Sequence, residues 1–231
     1  MALRSIAAIV AALSACGVTV LHADVCAPVA VDIRMHLDPS VASRRITDRL
    51  KDETEAIWGQ YGIQLEWTDA DASEPATNRV SLDATVERRF EAPDRMAWVT
   101  VLGSTIVQFN PPSWQPIRVS LEATESVLRT VRPSIGGHVR DHELARALGR
   151  VLAHEIGHVL LGAPYHDRTG LMRATFRPDE LAEPNRAPFR LTRGSVGRLR
   201  NRLPTLTASE SSGGASCVPF NPRGEPPTFR P

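Results

Sequence analysis

The strongest helix signal in the chain lies in the segment DHELARALGRVLAHEIGHVLLGAPYHDRTGLM, Asp141 to Met172. Apolar residues recur there at intervals of three and four, which predicts a helix from 141 to 161 with one broad apolar face. That face consists of Leu144, Leu148, Val151, Leu152, Ile156, Val159 and Leu160. Gly162 and Pro164 then stop the helix, because glycine favours the turn that ends helices and proline cannot continue one. The segment therefore predicts a long buried helix followed by a turn.

Two histidines of this helix, His154 and His158, stand four residues apart, and Glu155 follows the first of them. Residues four apart share a helix face with a rise of about 6 Å, so both imidazoles can point at one tetrahedral ion. Glu155 falls beside the same face, close enough to act on a metal-bound water. His166 comes after the turn and is available as a third ligand. Three protein ligands leave a fourth position for water, which is typical of catalytic rather than structural zinc.

The run from position 154 to position 172, HEIGHVLLGAPYHDRTGLM, resembles the signature of the metzincin clan of zinc metallopeptidases. That signature is HExxHxxGxxH followed by a turn that carries a methionine. The present chain has one extra residue on each side of Gly162, and the resemblance covers only this part of its 231 residues. It also implies a substrate peptide that lies extended along an edge strand above the helix.

The resemblance implies a role for each matching side chain. One zinc ion, Zn2+, would be bound by the imidazoles of His154, His158 and His166. Glu155 would be the general base, and Gly162 would form the turn that ends the helix. In the family the methionine of the turn, here Met172, is a hydrophobic floor under the metal and not a ligand, which suits a soft thioether near a borderline metal.

The third ligand has alternatives in the sequence. Asp167 is adjacent to His166, and a carboxylate can also bind zinc. Glu180 and Glu183 lie further along, where zinc peptidases of the gluzincin type carry a glutamate ligand on a second helix. Two prolines that flank these glutamates leave little room for such a helix. We therefore expect His166 to be the third ligand.

The rest of the chain predicts an α+β fold. Alternating apolar residues predict a strand at 29–35 and another at 63–67, and an amphipathic helix is expected between them over 40–61. This order indicates a crossover and a parallel pair of strands. Further strands are expected at 80–86, 97–102, 106–109 and 117–121, and a short C-terminal helix capped by Thr192 is expected to reach Leu203. The predicted fold is a mixed twisted sheet with an early crossover helix and a long active-site helix, metzincin-like, in one domain over 24–207 with a mobile tail at 208–231.

The N-terminal segment has the features of a signal for export. A charged start, an apolar run from Ile6 to Leu21 and small residues near position 23 predict a secretory signal peptide over 1–23. A lipoprotein signal ending before Cys16 and an uncleaved anchor are the alternatives. Cleavage of the signal peptide removes Cys16, and lipoprotein processing would lipidate it, so in both cases Cys26 and Cys217 are the free thiols that remain. These two could pair in a disulfide bond in an exported protein. We expect a secreted, periplasmic or cell-envelope protein that contacts the membrane only if Cys16 is lipidated.

Composition excludes several classes of protein. Lys and Arg number 27 and Asp and Glu 26, so the formal net charge of +1 lacks the basic excess that nucleic-acid binding needs. With 42% hydrophobic residues and 3 cysteines, the chain is neither disordered nor rich in disulfides. We expect a monomer whose partners are peptide or protein substrates.

Two functional hypotheses follow. The first is an exported zinc-dependent endopeptidase that hydrolyses peptide bonds by means of a metal-bound water, with Glu155 as general base. The second is a secreted or envelope binding module in which a structural zinc site joins the helix to the following loop without catalysis. Asp167 joining His166 on the ion would favour the second hypothesis, because structural zinc has four protein ligands.

Overall fold

The structure is a computed structural model that describes residues 28–41, 43–68, 74, 79–89, 102–105, 114–133, 137–162, 164 and 166–207. Several predictions fall outside these residues. They are the signal over 1–23, the lipidation of Cys16, the pairing of Cys26 with Cys217, the strand at 106–109, nearly all of the strand at 97–102, and the tail at 208–231. All of these stay predictions.

A five-stranded mixed sheet forms one layer of the fold, in the order β2-β1-β3-β5-β4. All neighbouring strands are parallel except β4, which is antiparallel to β5 and lies at the edge. The strands are β1 (Val29–Leu37), β2 (Ile63–Thr68), β3 (Val80–Glu87), β4 (Gly103–Thr105) and β5 (Gln115–Ser120).

Five α-helices and one short 3-10 turn complete the described part of the chain. The helices are α1 (Arg44–Gly59), α2 (Leu121–Val131), α3 (Gly137–Leu161), α4 (Pro178–Ala182) and α5 (Arg193–Thr207), and the 3-10 turn is Ala187–Phe189. The α+β class predicted from the sequence is confirmed. No helix among these described residues is both long enough and apolar enough to cross a bilayer.

The opening β1-α1-β2 unit is the crossover that the alternating pattern predicted. The hydroxyl of Ser43 accepts a hydrogen bond from the amide of Ile46, 3.4 Å away, and so caps the start of α1. Gly62 has a φ of 73°, a conformation that favours glycine, and turns the chain into β2. Strands β1 and β2 then pair in parallel, with Val31 beside Leu65.

Helix α3 lies in the middle of the core and packs against α1, β5 and β4. Its apolar face is fully buried, as Leu148, Leu152 and Ile156 show. Because α3 touches the sheet at β5 and β4, its C-terminal half lies next to the edge strand. The fold therefore brings the histidine-bearing turns of α3 to one edge of the sheet.

The structure differs from the sequence-based expectations at three elements. Helix α3 begins at Gly137, four residues before the predicted start at Asp141. Helix α2 was not predicted, because its first residue, Leu121, was assigned to the preceding strand; instead the hydroxyl of Ser120 ends β5 and caps α2 by accepting from the amide of Ala123. The edge strand β4 lies between the segments expected to be strands at 97–102 and 106–109.

Candidate metal centre

Three imidazoles converge at the C-terminal end of α3. Each of His154, His158 and His166 offers one ring nitrogen, and these three nitrogens all lie within 4.8 Å of one another. The Nε2 atoms of His154 and His158 are 3.0 Å apart. A tetrahedral zinc ion with bonds of about 2.0 to 2.1 Å to nitrogen would hold two such atoms about 3.3 Å apart. The cluster therefore fits one zinc ion after small adjustments of the rings.

The chemistry of the donors also fits zinc. Neutral imidazole nitrogens suit zinc well, and a set of three leaves one tetrahedral position open. The rings of His154 and His166 are stacked, with centroids 5.3 Å apart and planes 9° from parallel. The ring of His158 stands nearly perpendicular to both. The ring planes therefore differ in orientation, while the three nitrogens lie close together.

Gly162 makes the turn that returns the chain to the metal site. Its φ is +64°, a region that favours glycine, and its amide donates to the carbonyl of Val159 over 3.1 Å. A side chain at this position would also collide with the guanidinium of Arg202 on α5. The backbone conformation therefore favours glycine here, while the Arg202 guanidinium would have to move to admit a side chain, and the chain leaves the helix toward His166.

A hydrogen bond fixes the orientation of His154. Its Nδ1 donates to the carbonyl oxygen of Leu171 over 2.7 Å, because a carbonyl can only accept. Nε2 is then the unprotonated nitrogen that faces the cluster. Burial lowers the pKa of His154 to about 3, against the opposing effect of this hydrogen bond and with a smaller contribution from the other two histidines. The ring is therefore neutral and ready to bind a cation at physiological pH.

Glu155 directly follows the first histidine of the cluster in the chain and is buried, with 5% of its surface exposed. Burial raises the pKa of its carboxyl to about 8. Within the described part of the chain, no residue donates a hydrogen bond to this carboxylate. A cation bound nearby would lower the pKa again, because the opposite charge favours the ionised form. The protonation of Glu155 is therefore sensitive both to its burial and to a cation bound at the histidines.

Met172 is buried under α3, with 1% of its surface exposed. Its thioether packs against Gly157, where an added Cβ would collide with Sδ and lie 3.0 Å from Cε. Its carbonyl accepts a hydrogen bond from the amide of Asp167 over 2.7 Å. The structure thus places this methionine in a turn between the third histidine and α4, against the histidine-bearing part of α3.

Asp167 lies next to His166 in the chain, but its carboxylate faces α5. It accepts hydrogen bonds from Thr192 over 2.8 Å and from Arg198 over 3.0 Å, and a further one from the hydroxyl of Ser195. Burial alone would raise the pKa of Asp167, but the hydrogen bonds from Ser195, Thr192 and Arg198 outweigh it and lower the pKa. The structure therefore places Asp167 as an anchor for the turn and not in the metal cluster.

The two downstream glutamates are also engaged elsewhere. Glu180 lies on the short helix α4 and forms an ion pair with Arg173. Glu183 pairs with Arg132 over 2.8 Å. Helix α4 is only five residues long, as the flanking prolines indicated. Within the described residues, the cluster of possible metal ligands consists of the three histidines and includes neither glutamate.

One buried charge was missed by the sequence analysis. Arg150 lies on α3 one turn before His154, is fully buried and donates to Glu53 of α1 over 2.8 Å. It also donates to the carbonyls of Leu181 and Asn185, at 3.3 and 3.2 Å, and so ties α3 to α1 and α4. Arginine is frequent in this chain, and no prediction was made for this one from the sequence. The available signal was its position on the same helix face as His154, among apolar residues.

The structure brings together, within an α+β fold, the three histidines that the sequence analysis singled out. No protein-family model matches the chain, and no curated protein matches it. Among solved structures, archaemetzincin from Methanopyrus kandleri aligns over 77% of this chain and 96% of its own, with 15% identity and a TM-score of 0.44. A zinc-dependent peptidase from Methanocorpusculum labreanum aligns over 72% of this chain and 99% of its own, with 13% identity and a TM-score of 0.42. Both TM-scores are low, so neither alignment supports a conclusion about the site.

Proposed function

We propose that the chain is a zinc-dependent endopeptidase and that Glu155 is its general base. One observation carries the proposal: the nitrogens of His154, His158 and His166 converge within 4.8 Å, and a buried carboxylate directly follows the first ligand in the helix. A glutamate at this place has an obvious task only where a water molecule must be activated.

The protein supplies the donors, their orientation and the movement of the proton. When bound, zinc supplies Lewis acidity, which polarises a carbonyl group and lowers the pKa of water to about 7. The carbonyl of Leu171 holds the His154 ring so that its unprotonated nitrogen faces the cluster. The Glu155 carboxylate accepts the proton of the attacking water and passes it to the amine that leaves. The balance is the cleavage of one amide C–N bond, with OH added to the carbonyl carbon and H added to the nitrogen.

The binding-module hypothesis is not favoured by the contacts of Asp167. That hypothesis expected Asp167 to join His166 on the ion, whereas its carboxylate accepts hydrogen bonds from Thr192, Ser195 and Arg198. Glu180, another carboxylate that the sequence offered as a possible ligand, is paired with Arg173. A three-histidine site with an adjacent glutamate supports catalysis rather than a purely structural role.

The proposal is tested with the zinc-loaded protein and a mixed peptide library whose products are identified by mass spectrometry. We expect cleavage by the wild type, none after chelation, and a loss of at least about 100-fold for Glu155→Gln, the lower end of what general-base catalysis contributes. Glu122→Gln is the matched control, because Glu122, on α2, has an exposed carboxylate that pairs with Arg89. Cleavage that survives both chelation and Glu155→Gln contradicts the proposal.

Export is a second part of the proposal and is supported by the charged start and the apolar run of the N-terminus. The test is the intact mass of the protein recovered outside the cytoplasm of an expressing cell. A mass that corresponds to removal of residues 1–23 supports the signal peptide, and a lipid-modified Cys16 supports the lipoprotein form. Recovery of an uncleaved chain from the cytoplasm alone contradicts export.

A further inference from the structure

Gly103 of the edge strand β4 lies directly against the carboxyl group of Glu155. A Cβ built on Gly103 would lie 2.5 Å from Oε1, 2.8 Å from Cγ and 2.9 Å from Cδ of Glu155. Real side chains do not approach so closely, so any residue larger than glycine at 103 must displace the Glu155 side chain. We propose that Gly103 is a positioning residue for the general base, a role that rests on the proposed peptidase function.

The backbone conformation does not explain the glycine. The glycines with positive φ in the described residues are Gly62, Gly162 and Gly170, and Gly103 is not one of them. Gly103 is paired in a regular antiparallel ladder with Val119, a conformation that any residue adopts. Space beside Glu155 is therefore what requires glycine at this position.

Strand β4 cannot easily retreat from an added methyl group, because it is held on both sides of Gly103. The carbonyl of Leu102 accepts a hydrogen bond from the amide of Ser120 over 2.8 Å. The hydroxyl of Thr105 donates to the carbonyl of Pro116 over 3.0 Å. The strain of a substitution at 103 therefore falls on the glutamate side chain.

The glutamate must respond by rotating as a whole. The added Cβ would crowd Cγ as well as the carboxyl group, so a small shift of the tip does not relieve the contact. The helix backbone at Glu155 is fixed by its neighbours His154 and Ile156, which are buried in the core. Rotation about the side-chain bonds would carry the carboxylate away from its wild-type position against β4, while the three imidazoles are expected to keep their positions.

The experiment compares Gly103→Ala with Ser104→Ala, the next residue of the same strand, in the zinc-loaded protein. For Gly103→Ala we expect kcat to fall about 10-fold to 100-fold, a partial loss of the roughly 100-fold to 10,000-fold that a positioned general base contributes. KM is expected to stay within about twofold and zinc stoichiometry should equal that of the wild type, because the groups that bind substrate and metal are untouched. The melting temperature is expected to fall modestly, because the added methyl group crowds the buried side chain of Glu155. Ser104→Ala should leave kcat unchanged. An unchanged kcat for Gly103→Ala, or a loss explained by loss of zinc, overturns the proposal.

A double substitution separates positioning from a general structural role. Glu155→Asp shortens the side chain by one methylene, so in the Gly103→Ala background it should cost much less activity than in the wild type. Equal costs in both backgrounds overturn the proposal. If Gly103→Ala alone fails to fold, Gly103→Ala combined with Glu155→Ala should restore folding, because it removes the crowded partner; failure to do so is equally contradictory.

A structural measurement keeps the proposal separate from the proposed function. A crystal structure of metal-free Gly103→Ala should show the Glu155 carboxylate rotated from its wild-type position with the three histidines in place. An unmoved carboxylate overturns the positioning role even if the protein is an active peptidase. Absence of peptide cleavage by the wild type would instead refute the peptidase function, and the position of the carboxylate would still decide the role of Gly103.

Discussion

The Nδ1 atom of His154 donates a hydrogen bond to the carbonyl oxygen of Leu171, 2.7 Å away, and so joins the metal-binding helix to the turn that carries Met172. The contact between Met172 and Gly157 joins the same two segments a second time. The turn therefore both orients the first ligand and supports the helix between the first two ligands. Changes in the turn are expected to affect metal binding and stability together.

Gly157→Ala is expected to destabilise the protein because the new methyl group would collide with the Met172 thioether. Alanine gains up to about 1 kcal/mol in helix propensity, but overpacking a buried site costs about 1 to 3 kcal/mol. We expect a net loss in the free energy of unfolding, measured by urea denaturation of the metal-free protein. Gly197→Ala in α5 is the matched control, since nothing lies within 4 Å of its added Cβ, and it should be neutral or stabilising. Equal effects of the two substitutions would show that Met172 does not press on Gly157.

His166→Ala is expected to weaken zinc binding strongly because it removes one of three converging nitrogens. Removal of a residue that only hydrogen-bonds to a metal ligand typically lowers metal affinity by about 10-fold to 100-fold. Removal of the ligand itself should lower zinc affinity by more than this. Zinc affinity is measured by competition with a chromophoric chelator. His142→Ala is the control. His142 lies on α3 about three helical turns before His154, and its ring contacts the guanidinium of Arg49. Full zinc binding by His166→Ala would mean that another residue supplies the third ligand.

The histidine spacing was readable from the sequence because helical geometry places residues four apart on one face. The stop at Gly162 was predicted from local glycine and proline preferences, and its positive φ favours glycine. The crossover at the start of the chain was equally local in origin. These features depend on residues close in sequence, whose relation is set by helix and strand geometry alone.

Other features depend on partners that are distant in sequence and were therefore missed. Gly103 has no pattern of its own, and its importance appears only when β4 lies against Glu155. Arg150 is buried because Glu53 and the end of α4 receive its hydrogen bonds. Periodicity carries no information on such pairs, and an isolated arginine is usually exposed.

Asp167→Asn is expected to weaken zinc binding through His166, the neighbouring ligand. The carboxylate accepts hydrogen bonds from Thr192, Ser195 and Arg198, and an amide cannot accept all of them. Loss of this anchor should lower zinc affinity by about 10-fold to 100-fold, as for other groups that orient a ligand. Asp179→Asn is the control, because Asp179 forms an exposed ion pair with Arg177 at the start of α4. A zinc affinity that is the same for both variants would contradict the anchoring role.

The metal-free protein is expected to lose stability in alkaline solution because of Glu155. Its carboxyl keeps its proton up to a pKa of about 8 when folded, against an ordinary value of 4.5. Between these values the folded chain holds a proton that the unfolded chain has released, so stability falls as pH rises through this window. His154 acts oppositely between its folded pKa of about 3 and its ordinary value of 6.5, where stability falls as pH falls.

Glu155→Gln isolates the contribution of the carboxyl, because the contribution of His154 is common to both proteins. Relative to the variant, the metal-free wild type should be less stable at pH 9 than at pH 5, by a difference on the order of a few kcal/mol. The measurement is urea denaturation at both pH values in the presence of chelator. Saturating zinc should reduce the difference, since a nearby cation lowers the pKa of the carboxyl. A difference that does not change with pH would show that Glu155 is solvated in the folded protein.

Arg150→Met is expected to destabilise the protein by about 3 to 5 kcal/mol, the usual cost of breaking a buried ion pair. Glu53, with 4% of its side chain exposed, would keep only the ion pair with Arg186, and the carbonyls of Leu181 and Asn185 would lose a donor. Arg129→Met is the control, because its ion pair with Glu125 is at the surface and 3.8 Å long, and such pairs contribute about 0 to 1 kcal/mol.

The partner of Arg150 provides a further check on this ion pair. Arg150→Met combined with Glu53→Met should recover part of the lost free energy of unfolding, because it removes the carboxylate that was left buried with a single partner. Recovery is expected to be incomplete, since the carbonyls of Leu181 and Asn185 stay without their donor. An exposed ion pair contributes about 0 to 1 kcal/mol to stability. If the free energy of unfolding of Arg150→Met lies within about 1 kcal/mol of that of the wild type, the contacts of Arg150 stabilise the packing of α3 against α1 and α4 no more than a surface ion pair would.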